Sequence, residues 1–353
     1  MRKIPWIYQI RGLAIIAVVV CHQQFVLHTS EAIQLLTLYS VTTLIFMMGV
    51  TASISLKNRG IILKTFLQKC GYVLKKIFPV MAAYFVGTIA YSTLYDTWVN
   101  GPKIRVLVDY LLHFSASAHF YFIKYFICFS ILSPMIYALV VCIKNRGNSW
   151  RWYGYLLLGL VLFAIGYGFM DYLPFLGGGS YLMIYSLGII CGEEEISFNK
   201  KKYFLFIGII ILLIGLWSTK IFYFNRITGI HNPVGIDKLV PKLSINPPNL
   251  SIMLYSMGVI IVANIFFEKL NRYADNKIAL MIIKVFSLLG KYSLDIFIWH
   301  LFIELKLLSY IVINNIYIKR VIYYSCMFFI PIVVRYIYEK IKMFIKYKYN
   351  LYI

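Results

Sequence analysis

Acidic residues are scarce in this chain. Only 13 of its 353 residues are Asp or Glu, against 35 Lys and Arg, and charged residues of both signs make up 14%. A soluble domain of this length carries charge on about a quarter of its residues, so a soluble globular protein is excluded. Other things are missing too. No CxxC pair or His/Cys cluster has metal-ligand spacing, and no metal site is expected. There is no internal repeat and no low-complexity tail. No small-residue cleavage site follows the first apolar run, so the basic start, Met1 to Ile4, reads as an uncleaved N-terminus. The six cysteines (Cys21, Cys70, Cys128, Cys142, Cys191 and Cys326) fall in expected spans or on the expected cytoplasmic side. No disulfide framework is expected from them.

What the chain does have is apolar surface. Hydrophobic residues are 61% and aromatics 18%, with a mean hydropathy of +0.77. Apolar runs recur between short polar clusters, the pattern of an all-α polytopic membrane protein with membrane lipid as its surroundings. Ten spans are expected, at about 8–27, 35–56, 77–95, 119–143, 154–170, 180–192, 204–219, 250–267, 293–313 and 321–340. The segment 273–292, apolar but interrupted by Lys277 and Lys284, reads as an interfacial amphipathic helix. Of the 35 basic residues, 23 fall on one set of loops and termini and 8 on the other. The positive-inside rule then puts both termini in the cytoplasm. It also accounts for the net charge of +22 without nucleic acid as a partner. Residues 1–345 form one transmembrane domain on this reading, and 346–353 a short basic cytoplasmic tail.

The first apolar run carries two ionisable groups, Arg11 and His22, eleven residues apart. On a helix that is close to three turns and roughly 16 Å, so both side chains share a face. Two such groups on one face of a membrane helix are costly unless the face lines a polar cavity. A guanidinium at the inner mouth suits phosphate oxygens, which its planar fork binds bidentately. An imidazole held away from bulk water can act as a general base on a hydroxyl, or carry an acyl group. Interfacial snorkelling by Arg11 and helix–helix hydrogen bonding by His22 are the structural alternatives.

R-G-L-A-I-I-A-V-V-V-C-H resembles the first helix of the membrane-bound acyltransferase 3 family, whose mark is Arg, ten residues, then His. Further stretches follow in the family's order. Phe46-Met47-Met48-Gly49 with Lys57 resembles F-F-x-x-S-G and its basic residue, with Met48 in the serine's place. Lys75-Lys76-Ile77-Phe78-Pro79 resembles the basic pair and proline that open the third helix. His119-Phe120-Tyr121-Phe122 with Pro134 resembles H-x-W-F-L…P, with Tyr121 where tryptophan is usual. Gly290-Lys291-Tyr292-Ser293-Leu294…Phe297…His300 resembles G-K-x-S-L-x-x-Y-x-x-H, with Phe297 in the tyrosine's place. The resemblance implies an integral-membrane O-acyltransferase, generally of ten helices, acting on cell-surface glycans or secreted molecules. It implies acyl-CoA, most simply acetyl-CoA, as donor, with Arg11 on its phosphates and His22 as base or acyl carrier.

The remaining candidates are ranked by position. Lys75 and Lys76 at the cytoplasmic mouth could add charge for the donor's phosphates. His119, Tyr121, Lys124, Ser293 and His300 are candidates for the acceptor side. Ser293 and His300 lie seven residues apart, on one helix face. His28, His113 and His231 read as loop histidines, and Glu193-Glu194-Glu195 as a solvated cytoplasmic turn. The expected function is O-acylation, most simply O-acetylation, of a surface glycan at a bacterial plasma membrane, with polysaccharide-synthesis machinery as a candidate partner. The high Lys, Ile, Tyr and Asn content points to an AT-rich bacterial genome. The rivals are a transporter of a polysaccharide or lipid-linked precursor, and a structural subunit of a synthase. No inverted repeat of the transporter kind is visible in the sequence.

Overall fold

In lipid, backbone amides can pair only with one another, so long apolar runs without β-strand partners resolve into helices. The computed structural model bears this out. It describes residues 4–22, 30–93, 104–168, 179–196, 198, 203–228, 248–308, 310–311 and 313–348, and contains no strand among them. The helices are α1 (Pro5–Cys21), α2 (Glu31–Thr37), α3 (Ser40–Asn58), α4 (Phe66–Ser92), α5 (Ile104–His113), α6 (Tyr121–Lys144), α7 (Asn148–Gly168), α8 (Ser180–Glu193), α9 (Tyr203–Thr228), α10 (Leu250–Arg272), α11 (Lys277–Lys291), α12 (Ser293–Phe302) and α13 (Ile316–Lys348). Among the described residues, six helical stretches are long and apolar enough to cross a membrane: Ala32–Asn58, Phe66–Ser92, Tyr121–Lys144, Tyr203–Ile221, Leu250–Arg272 and Ile316–Phe344. Pro5–Cys21, Trp150–Gly166 and Ser180–Glu193 are shorter apolar helices. The chain is a multi-pass membrane protein.

Two sequence expectations change. The third apolar helix was expected from 77, but α4 starts at Phe66. Its start is set by a capping box, in which the Thr65 hydroxyl accepts from the Gln68 amide and the Gln68 side chain answers to the Thr65 amide. The three consecutive acids are a solvated turn only in part: Glu195 is exposed, whereas Glu193 is interior. Glu193 is buried and accepts from Lys144 Nζ at 2.8 Å and from the Tyr137 hydroxyl at 2.9 Å. Glu194 accepts from the Tyr155 hydroxyl at 2.7 Å and pairs with Arg151, and Glu195 pairs with Lys57 at 2.7 Å.

Together the acids tie the end of α8 to α6, α7 and α3. Replacing Glu193 with alanine leaves Lys144 only the residue-193 carbonyl at 3.1 Å and removes the Tyr137 acceptor, and should cost about 2 kcal/mol, the scale of a charged hydrogen bond lost from a partly buried site. Replacing Glu195, whose pair is exposed, should cost under about 1 kcal/mol. Thermal unfolding of the two variants in detergent checks the order.

The site depends on how α11 meets α1. One side of α11 turns Ile278, Met281, Val285 and Leu288 outward among exposed Lys277, Lys284 and Lys291. The other side lies backbone to backbone on α1. A Cβ built on Gly290 would sit 1.7 Å from the Tyr8 carbonyl oxygen, and one built on Gly12 would sit 2.1 Å from the Phe286 oxygen. Only glycine fits at either position. The contact anchors the turn at Tyr292, from which α12 leads Ser293 to Arg11 and His300 to His22.

Candidate active site

Arg11 lies on the second turn of α1, half-buried, and its Nη2 donates to Ser293 Oγ at 2.7 Å. The two residues are 282 positions apart in sequence. They line a cavity of about 100 Å³ whose walls also include Met48 and Thr51 of α3, Lys76 of α4, Phe122 and Phe126 of α6, and Leu294 and Phe297 of α12. Lys76 Nζ is buried and has no hydrogen-bond partner among the described residues; it lies 5.8 Å from the Phe126 ring centre. The wall thus holds two cations and no carboxylate. A buried ammonium without a hydrogen-bond partner, sharing a wall with a guanidinium, has chemistry that suits an anion. Met48, standing where the motif has serine, makes the opposite wall apolar.

Lys75 does not share this place. It is exposed, because consecutive helix residues point about 100° apart and only Lys76 turns inward. The basic pair therefore contributes one lysine to the cavity.

The other half of the site is a group of three histidines. α1 ends at Cys21, and His22 is its cap, still in helical backbone conformation with its amide bonded to the Val18 carbonyl. The His22 ring centre lies 5.3 Å from that of His300 and 6.3 Å from that of His119, and His119 and His300 are 5.2 Å apart. His119 shares a 2.8 Å hydrogen bond between its Nδ1 and Ser117 Oγ. His300 Nδ1 faces the carbonyls of Phe297 at 2.9 Å and Ile296 at 3.1 Å. Carbonyls only accept, so His300 carries its proton on Nδ1 and offers a lone pair at Nε2. The Nε2 atoms of His119 and His300 are both buried, without hydrogen-bond partners among the described residues. Buried polar atoms of this kind call for a water or a ligand. Among the described residues no group of three His, Cys, Asp or Glu side chains is placed to hold a metal ion.

Cavity and histidines share Phe297. Its ring, almost fully buried, lines the cavity, packs on Phe122 at 4.7 Å, and meets His119 at 5.2 Å and His300 at 6.2 Å. The motif's tyrosine position thus touches both the cavity and two of the histidines, and Phe297 offers no hydroxyl to either. His22 is not among the residues that line the cavity.

Two other sequence candidates sit elsewhere. Tyr121 packs edge-on against Tyr125 at 6.0 Å, and Tyr125 in turn meets Tyr181. Tyr121 and Lys124, both half-buried on α6, belong neither to the cavity wall nor to the ring contacts of the histidines. His113 is exposed, 3.0 Å from Asp109 on its own helix; His28 and His231 lie outside the described residues.

An all-helical membrane chain with a buried two-cation cavity set against three imidazoles has the makings of a group-transfer site within the bilayer. Residues 4–340 match the family model described as an acyltransferase domain, that of the acyltransferase 3 family. The chain belongs to that family and is a membrane acyltransferase. No curated protein and no solved structure matches it.

Proposed function

We propose that the protein moves an acyl group, most simply acetyl, from cytoplasmic acyl-CoA to a hydroxyl of a cell-surface glycan, in a bacterial plasma membrane. Ten membrane passages with both termini in the cytoplasm go with this reading, and the charge bias of the loops supports them. The observation that carries it is the two-cation cavity whose Phe297 wall also contacts His119 and His300, the ring neighbours of His22. Arg11 and Lys76 would hold phosphate oxygens of the donor. A cavity of about 100 Å³ admits a phosphate or part of a slender arm, not a nucleotide, so most of the donor would remain outside it. The donor's thioester supplies the activated acyl group.

His22 would take the proton of the acceptor hydroxyl as its oxygen attacks the thioester carbon; the C–S bond then breaks, the ester forms, and CoA leaves as the thiol, taking up that proton. His300 Nε2, with its lone pair, can accept a hydrogen bond from the protonated ring or from the acceptor. His119, tied to Ser117, closes the third side. Ser293 holds the Arg11 guanidinium in place. Polysaccharide-synthesis machinery is the partner class that would deliver the acceptor.

The experiment is a donor titration on purified protein. Arg11→Ala should weaken acetyl-CoA binding by about 1.5–3 kcal/mol, the scale of one charged hydrogen-bonded contact, or roughly 10- to 150-fold in Kd. Lys76→Ala should weaken it in the same direction, and Lys75→Ala should leave it within about twofold, as for an exposed surface charge. Equal affinity in Arg11→Ala, Lys76→Ala and wild type would remove the donor from this cavity. Export of unacylated polymer lost with Arg11 would favour a transporter instead.

A further inference from the structure

One buried side chain outside the motifs touches both halves of the histidine group. Tyr91, near the end of α4, is fully buried. Its hydroxyl donates to the Ile298 carbonyl at 3.0 Å and accepts from the Phe302 amide at 2.8 Å. Residues 298 and 302 are i and i+4, the pair that an unbroken α-helix bonds directly. The hydroxyl therefore stands inside the helical ladder of α12, as an inserted side chain does at a helix distortion. Just beyond it, Ile303–Leu308 widens into a π-type turn, a feature common at functional sites.

His300 lies between the two bridged residues. Its Nδ1 bonds the carbonyls of Ile296 and Phe297, so three successive carbonyls, 296 to 298, carry side-chain donors. The Tyr91 ring also meets His119 edge-on at 5.6 Å and Phe120 at 5.2 Å. Nothing about Tyr91 lets it touch a donor in the Arg11 cavity, whose wall it does not join.

We propose that Tyr91 is the positioning residue of the histidine group: its hydroxyl holds α12 open at Ile298–Phe302, and its ring braces His119, so that His300 and His119 stand against His22. The catalytic half of this inference rests on the acyl-transfer function above; the structural half does not.

Tyr91→Phe is the test, because it keeps the ring and its packing and removes only the hydroxyl. The freed Ile298 carbonyl and Phe302 amide can then pair with each other, so the variant should fold. Hydrogen exchange read by mass spectrometry on the full-length protein in lipid nanodiscs should change in segment 296–308 and nowhere else. Acetyl-CoA affinity should stay at the wild-type value, since Arg11 and Lys76 are untouched. The turnover rate should fall about 10- to 100-fold, the cost of a misplaced catalytic group, with the donor KM unchanged. Identical exchange across 296–308 would overturn the bridged ladder. A drop in thermal stability with turnover intact would make Tyr91 a brace of the fold only, and would overturn its role at the site. If wild-type protein transfers no acyl group, the proposed function fails, while the exchange result still decides the ladder.

Discussion

Replacing His22 with alanine should lower acyl transfer by about 10² to 10⁴-fold, the range that a positioned general base supplies. The loss should reach the detection floor if the imidazole itself carries the acyl group. Donor affinity should be unchanged, because His22 is not among the residues that line the Arg11 cavity. The protein should stay folded: His22 is a helix cap whose fixed contact is a backbone bond to Val18, which alanine also makes. Turnover measured beside acetyl-CoA affinity on the purified variant separates the two effects. Wild-type turnover in His22→Ala would take the residue out of the chemistry.

The second large effect is structural. Gly290→Ala places a methyl group where the Tyr8 carbonyl oxygen already stands, at 1.7 Å. The obstacle is backbone, which cannot rotate aside, so α11 and α1 must separate. The cost should reach or exceed about 3 kcal/mol, the upper end of overpacking, and turnover should go with it, since the same turn delivers Ser293 and His300. Gly71→Ala is the control. Nothing lies within 4 Å of a Cβ there, and alanine in a helix interior gains about 0.5–1 kcal/mol over glycine. Unfolding midpoints for the pair should therefore move in opposite directions; a Gly290→Ala protein as stable as wild type would remove the close contact from the account.

Much of this site was legible because its chemistry is expensive in a membrane. Arg11 and His22 stand out in an apolar run, and Ser293 and His300 fall on one helix face seven residues apart. The structure joins each to its partner: Arg11 to Ser293 and His22 to His300. Lys76 and Lys75 could not be told apart by spacing, since which of two neighbours turns inward depends on how α4 is rotated against α6. The early start of α4 had a readable signal in Thr65-x-x-Gln68, hidden by the charges of Lys69, Lys75 and Lys76 that resembled a loop. The double contact of Phe297, with the cavity and with two histidines, and the place of Tyr91 in the ladder of α12, had none. Tyr91 is one of 30 tyrosines, and its hydroxyl matters only because α4 and α12 meet, a contact 207 residues apart in sequence. The acids at 193–195 show the same limit. Composition described them as surface, and burial against Lys144 and Tyr137 made Glu193 interior.

The central claim is that one site takes its donor at the Arg11 end and serves its acceptor at the His22 end. It is tested most directly by sealed vesicles of known orientation, with labelled acetyl-CoA, which does not cross the bilayer, on the cytoplasmic face and acceptor glycan enclosed on the other. Labelled ester should accumulate on the enclosed glycan with wild-type protein and not with His22→Ala. Label that forms only when donor and acceptor share one face, or that forms equally with His22→Ala, would contradict the claim.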